Sequence, residues 1–183
     1  MSASGITAIP VFDAQQVRTR LPMSACIEVL TSLHSAISRG EVPLPLRTGV
    51  PLPFEPPGMN SMLVMPGALP EPAVFGAKLL SLYPGNRDTT LPVIQGQVLL
   101  FDGANGKPLA LVDAASLTAI RTAAASGAAT RVLARTDASS LALLGYGVQA
   151  TSHLEAMRSV RPIRQVSVWG PHPEKAEAFA AEH

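Results

Sequence analysis

Ser139–His183 reads SSLALLGYGVQATSHLEAMRSVRPIRQVSVWGPHPEKAEAFAAEH. The apolar run Leu141–Leu144 leads into Gly145-Tyr146-Gly147-Val148-Gln149-Ala150. A helical pattern follows, then the run Val166-Ser167-Val168-Trp169 and the start of another helix. Strand, glycine turn, helix, strand is the setting in which a Gly-x-Gly-x-x-Gly/Ala match carries meaning. Gly145 permits the tight turn, Gly147 lets the backbone approach a pyrophosphate, and Ala150 in the third slot still allows close helix–strand packing. The helix beyond offers free N–H groups and a positive dipole end. The stretch is read as the first βαβ of a dinucleotide-binding fold. The competing reading is a tight glycine turn in an unrelated α/β protein.

Composition frames the rest. With 47% hydrophobic and 15% charged residues, the chain is expected to bury a core. Only 4% are aromatic, so Ala, Leu and Val must fill that core. A net charge of +1 and the lack of a dense Lys/Arg run argue against a nucleic-acid partner. The single cysteine, Cys26, has no internal disulfide partner and is read as packing rather than as a nucleophile. The start, MSASGITAIP, lacks the basic and apolar regions of a signal peptide. No apolar run approaches about 18 residues, so no membrane span is expected. A cytoplasmic location and no metal site are the expectations.

Ile6–Val11 reads as a short strand, and Asp13 as the cap of a helix through Arg20. Pro22 suits the first turn of a second helix, with Cys26, Ile27, Leu30, Leu33 and Ile37 at helical spacing, His34 as a core-edge histidine, and Gly40 as the stop. Prolines are dense from Val42 to Pro72 and exclude long helices; Ser61–Met65 is a short strand there. Arg47, in Pro45-Leu46-Arg47-Thr48, is either a surface arginine or a guanidinium fork for a substrate carboxylate. Val74–Tyr83 is a strand with Gly76, Lys78, Leu80 and Leu82 on one face. A lysine at such a position is functional or else reaches solvent from an edge strand. Residues 84–88 form a turn-rich loop. Val93–Phe101 and Leu109–Val112 form a hairpin around Asp102-Gly103-Ala104-Asn105-Gly106, in a largely antiparallel or mixed sheet. Ala114–Arg135 is a long helix with the stripe Leu117, Ile120, Ala124, Ala128 and Val132. Its Arg121-Thr122, followed by small residues, is a helix-surface pair or a phosphate clamp.

Taken together the pieces resemble the ornithine cyclodeaminase/μ-crystallin family of NAD(P)-dependent enzymes. The matching segments are Pro45-Leu46-Arg47-Thr48, Met65-Pro66, Gly76-Ala77-Lys78-Leu79, Gln95-Gly96, Leu117-Thr118-Ala119-Ile120-Arg121-Thr122-Ala123-Ala124, and Gly145-x-Gly147-x-Gln149-Ala150. Order and spacing match from about residue 10 to the end. The resemblance implies an α+β substrate-binding and dimerisation domain over residues 1–136, followed by a partial α/β Rossmann domain over residues 137–183 (its first βαβ and the start of the next helix). It implies Arg47 on the substrate carboxylate with Met65 beside it, and Lys78 as the catalytic proton donor or acceptor. Arg121, Thr122, Gly145, Gly147, Val148, Gln149 and Ala150 would hold the cofactor. It also implies a homodimer built through the first domain.

Two departures follow. Many NAD enzymes end the second strand in an acid that binds the ribose 2′-OH, but residues 166–173 contain none. His172 stands at about that place, so NADP(H) is favoured over NAD(H). A nucleotide domain also wants about 100–150 residues, more than residues 139–183 supply. The family's later strands and second-half catalytic aspartate have no counterpart here. A missing remainder, or a partner that covers the βαβ, is expected.

The reaction the resemblance implies is NAD(P)H-dependent reduction of a cyclic imino acid such as Δ1-pyrroline-2-carboxylate or Δ1-piperideine-2-carboxylate. The stretch Lys78–Asn86 with Gln95-Gly96 resembles imine-reductase and alanine-dehydrogenase members more than ornithine cyclodeaminases. The alternatives are ornithine cyclodeaminase or alanine dehydrogenase activity, or a non-catalytic protein that holds NADPH and a small ligand.

Overall fold

The computed structural model describes residues 8–54 and 59–183. In chain order the elements are β1 (Val11–Phe12), α1 (Ala14–Arg20), α2 (Met23–Ser38), β2 (Thr48–Pro51), β3 (Ser61–Leu69), β4 (Val74–Leu82), a 3-10 helix (Pro84–Asp88), β5 (Ile94–Asp102), β6 (Pro108–Asp113), α3 (Ala114–Leu133), β7 (Ser140–Leu144), α4 (Val148–Val160), β8 (Gln165–Trp169) and α5 (Pro173–Glu182). By packing the chain forms two compact units. One contains the described residues up to Val17 with Ile37–Leu117, and the other Arg18–Ala36 with Thr118–His183.

The first unit is a six-stranded sheet of order β1-β6-β5-β4-β3-β2. Every pairing is antiparallel except that of β1 with β6. Of the strand expected over Ile6–Val11, Ile6 and Thr7 lie outside the described residues; among the described ones only Val11 and Phe12 pair there, with Leu111 and Val112. The chain must turn at once, because Asp13 starts α1. Its carboxylate accepts the Gln16 N–H at 2.8 Å and the Gln16 side chain accepts the Asp13 N–H at 3.0 Å, a reciprocal cap. The strand expected over Ser61–Met65 runs on to Leu69 through Pro66. The expected loop at 84–88 is a 3-10 turn, which Pro84 suits and which Thr89 closes by donating to the Asn86 carbonyl at 3.0 Å. The β5–β6 hairpin turns on Asp102, whose carboxylate accepts the Ala104 N–H at 2.7 Å.

β4 and β5 approach closely because glycines allow it. A Cβ at Gly76 would collide with the Leu99 carbonyl oxygen. One at Gly96, whose φ is +158°, would collide with that of Leu79.

The second unit packs helices through small residues. Ala119, Ala123, Ala124 and Ala128 of α3 are buried, and so are Cys26 and Ile27 of α2. A Cβ on Gly127 would sit 2.9 Å from Ile27 Cδ1. Gly40, at φ +75°, ends α2 by donating to the Ile37 carbonyl at 2.9 Å. Two expectations fail here. His34 is exposed rather than at the core edge. Val132 is 75% exposed, because twelve residues at about 100° each carry it about 120° round the helix from Ile120. β7 and β8 pair in parallel, Ser140 with Gln165 through Leu144 with Trp169. α4 and α5 cover one face of this pair, around Leu143, Leu154 and Phe179.

Candidate functional site

The first unit holds three of the expected residues, Arg47, Met65 and Lys78. Met65 on β3 pairs with Lys78 on β4, and Lys78 with Val98 on β5. Thr48 pairs with Val64, the neighbour of Met65, and Arg47 comes directly before Thr48 in the chain. Residues level with each other on neighbouring strands project from the same face. Met65 and Lys78 therefore form a row on β3 and β4, and Arg47 is the residue that precedes β2. β4 is an interior strand, which removes the edge-strand reading of Lys78. Lys78 and Met65 are half-buried and Arg47 is exposed. An amine able to carry a proton thus stands beside a methionine on one surface, and an exposed guanidinium suited to carboxylates leads into the neighbouring strand.

In the second unit the glycine turn has the conformation its sequence implies. Gly145 has φ +115°, and its N–H donates to the Trp169 carbonyl at 2.7 Å, tying the end of β7 to the end of β8. Gly147 caps α4 in an extended conformation with no side-chain hydrogen bond. A Cβ there would meet nothing within 4 Å, so the space in front of the helix is open. Val148 and Gln149 are exposed, while Ala150 packs on the Leu143–Leu154–Phe179 cluster. The first N–H groups of α4 lack intrahelical acceptors by helix geometry, and this end of the helix is the positive one. The residues present fit a pyrophosphate: an open glycine cradle, free donors and no acid in the turn.

Arg121 is exposed and Thr122 half-buried on α3, in the same unit as the turn. Ile120, next to Arg121, lines a cleft of ≈ 440 Å³ together with Val148, Thr151 and Ser152. His172 caps α5 and is exposed, with Nδ1 3.6 Å from a Glu174 carboxylate oxygen. Gly170 lies against the Tyr146 ring, so the end of β8 and the glycine turn are neighbours. Leu144 and Trp169, paired at the carboxyl ends of the strands, are 83% and 66% exposed. That is the end at which open α/β sheets bind ligands. Cys26 is buried and burial pushes its thiol up, against any nucleophilic role.

One link was not legible in the sequence. His153 Nδ1 lies 2.7 Å from the Gln149 carbonyl oxygen and its Nε2 lies 3.0 Å from Ser126 Oγ. A carbonyl only accepts, so Nδ1 carries a proton. The imidazole thus joins the first turn of α4 to α3, one turn beyond Thr122. A helical wheel shows His153 one turn from Gln149, but nothing in the sequence pairs it with Ser126.

A glycine turn at the carboxyl end of a parallel strand pair, running into a helix start, is the arrangement of dinucleotide-binding α/β folds. The model of the ornithine cyclodeaminase/mu-crystallin family matches residues 10–183, and the chain belongs to that family. It is similar to a Δ(1)-pyrroline-2-carboxylate reductase of Bacillus cereus, 35% identical over 170 residues that make up 93% of this chain and 51% of the relative. Among solved structures it is similar to the Thermococcus litoralis Δ(1)-pyrroline-2-carboxylate reductase in complex with NADH and L-proline. The TM-score is 0.87 at 34% identity, over 95% of this chain and 53% of that one. It is also similar to an archaeal alanine dehydrogenase dimer with bound NAD, with TM-score 0.84 and 29% identity, over 95% of this chain and 52% of that one. The chain spans about half the length of these relatives.

Proposed function

We propose that this chain carries the substrate half and the first part of the cofactor half of an NAD(P)H-dependent reductase of cyclic imino acids. The observation that carries the reading is the pairing of Met65 with Lys78 on one sheet face, with Arg47 directly before Thr48, which pairs with the neighbour of Met65. By this reading residues 1–136 supply substrate binding and dimerisation, and residues 137–183 the nucleotide fold, with Arg121 and Thr122 of α3 adding to the cofactor contacts. Arg47 grips the carboxylate and Met65 lies beside the carbon skeleton. Lys78 gives a proton to the imine nitrogen. The bound nicotinamide supplies the hydride that reaches the imine carbon. The C=N π pair becomes the nitrogen lone pair that takes the proton, so the products are the cyclic amino acid and oxidised cofactor. Arg121, Thr122, Gly145, Gly147, Val148, Gln149 and Ala150 hold the dinucleotide. NADP(H) is favoured over NAD(H) by His172 and by the lack of an acid at the end of β8; competition between NADPH and NADH measures this.

A homodimer through the sheet is supported by Phe75 and Leu79. They point from the face opposite Lys78 and are 41% and 48% exposed. Among the described residues no helix is long and apolar enough to cross a membrane.

The test is Lys78→Met, assayed by NADPH absorbance with Δ1-pyrroline-2-carboxylate. Cofactor binding should survive and most turnover should vanish. Turnover near that of the unaltered protein would refute the role of Lys78. NADPH binding without oxidation in the unaltered protein would favour the non-catalytic binding reading.

A further inference from the structure

Three glycines share the sheet face of Lys78 on β2, β3 and β4, and they differ in what requires them. Gly76 must lack a side chain because a Cβ would strike the Leu99 carbonyl oxygen. Gly49 has an ordinary neighbour, Leu63 Cδ2 at 3.4 Å. Gly67 has no such constraint. Its φ is not positive, and a Cβ there would meet nothing within 4 Å. Neither backbone nor packing calls for glycine, and a glycine inside a strand weakens it. What the missing side chain leaves is open space on this face. Gly67 lies two residues beyond Met65, roughly 7 Å along the strand, and pairs directly with Gly76. The row next to Met65–Lys78 therefore has no side chain of its own on β3 and β4; Leu100 on β5 reaches toward Gly76, its Cδ2 3.2 Å from where a Cβ would stand, and leaves Gly67 open.

We infer that Gly67 is a specificity-determining position. Paired with Gly76 and bounded by Leu100, it leaves an open floor beside Lys78, which receives the ring carbons of the imino acid beyond its carboxylate and imine carbon. The inference rests on the reading of Arg47 and Lys78 as the substrate site. It assigns substrate size to position 67: a six-membered ring needs the floor more than a five-membered one.

The experiment compares Kd values of L-pipecolate and L-proline for the full chain with oxidised cofactor present, in the unaltered protein, Gly67→Val, Gly67→Ala and Ala68→Val. Ala68 is the next residue on the same strand but points from the other face. Gly67→Val should weaken L-pipecolate about tenfold or more relative to L-proline, the scale of one or two misplaced methyl groups in a pocket. Gly67→Ala should shift the ratio the same way by less, and Ala68→Val should leave it within about twofold. Far-ultraviolet circular dichroism checks folding. If Gly67→Val fails to fold, Gly67→Ala decides. Binding of both ligands with an unchanged ratio in the position-67 variants overturns the inference and leaves the substrate site standing. Failure of the unaltered protein to bind either ligand overturns both.

Discussion

Arg161 is the buried charge on which the second unit depends. It is 9% exposed and follows α4 directly, its own N–H donating to the Met157 carbonyl at 2.9 Å. Its guanidinium spends Nε on the Arg135 carbonyl at 2.7 Å and Nη1 on that of Val160 at 2.6 Å. Nη2 serves Thr130 and Arg131 at 2.8 Å and Ala134 at 2.7 Å. Four of these acceptors lie at or just past the end of α3, where the dipole is negative and most carbonyls lack an intrahelical donor, that of Thr130 also accepting the Ala134 N–H at 3.0 Å. One side chain therefore closes α3 and joins its end to the end of α4. A hydrogen bond to a charged group contributes about 1.5–3 kcal/mol net. Three donor nitrogens at the low end, discounted because freed carbonyls at a helix end regain some water, give about 3–4 kcal/mol. That is a large part of a typical total stability of about 5–15 kcal/mol. At about 2–4 °C per kcal/mol for a chain of this size, Arg161→Met should lower Tm by about 6–16 °C. Methionine keeps most of the apolar stem, so the loss reports the guanidinium rather than a cavity. Arg161→Lys, with a point charge instead of a fork, should recover only part of it. Thermal and urea unfolding followed by circular dichroism measure both. A loss under about 1 kcal/mol for the methionine variant would mean that water already serves those carbonyls. Full recovery by lysine would mean that charge at the helix end matters and the fork does not.

Further outcomes can be checked. Gly96→Ala should cost about 3 kcal/mol or more in urea unfolding, because the new Cβ meets backbone rather than a movable side chain. Gly49→Ala, which meets only Leu63 Cδ2 at 3.4 Å, should stay within about 1 kcal/mol. Cys26 should resist a thiol reagent in the native protein and react on unfolding. Burial raises its pKa above the ordinary 9.0, so the stability this brings is fully present below that value. It falls as pH rises from there toward the folded value, since the unfolded chain ionises first.

What could be read in the sequence was whatever lies close along the chain. The turn at Gly145–Ala150, the Asp13 cap, the Gly40 stop and the β5–β6 hairpin are each fixed by residues a few positions apart, and each has its expected conformation. The Lys78 face followed from alternation alone. Its alignment with Met65 did not, because level pairs across β3 and β4 depend on register. Register here is set by contacts that no single strand displays. The outward turn of Val132 shows the opposite error, in which a stripe of i+4 steps was followed too far round the helix. The Ser126–His153 contact and four of the five carbonyls of Arg161 join segments far apart in sequence and leave no local signal.

Register also explains why the placement of Lys78 is hard to disturb. A slip of one residue between β4 and β5 would turn Lys78 to the other face, where Phe75 and Leu79 now point. It would also bring Gln95 or Gln97 to the place that Gly96 occupies opposite Leu80. There φ is +158° and a Cβ strikes the Leu79 carbonyl oxygen. Only glycine fits that point in the observed pairing, so a slipped pairing would have to reshape the backbone there. Gly96 touches no proposed substrate group, yet it decides which face carries the amine. If Gly96→Ala folds at all, its defect should therefore appear in L-proline binding, and NADPH binding in the other unit should change less. An equal loss of both would show that the strand had unravelled rather than shifted.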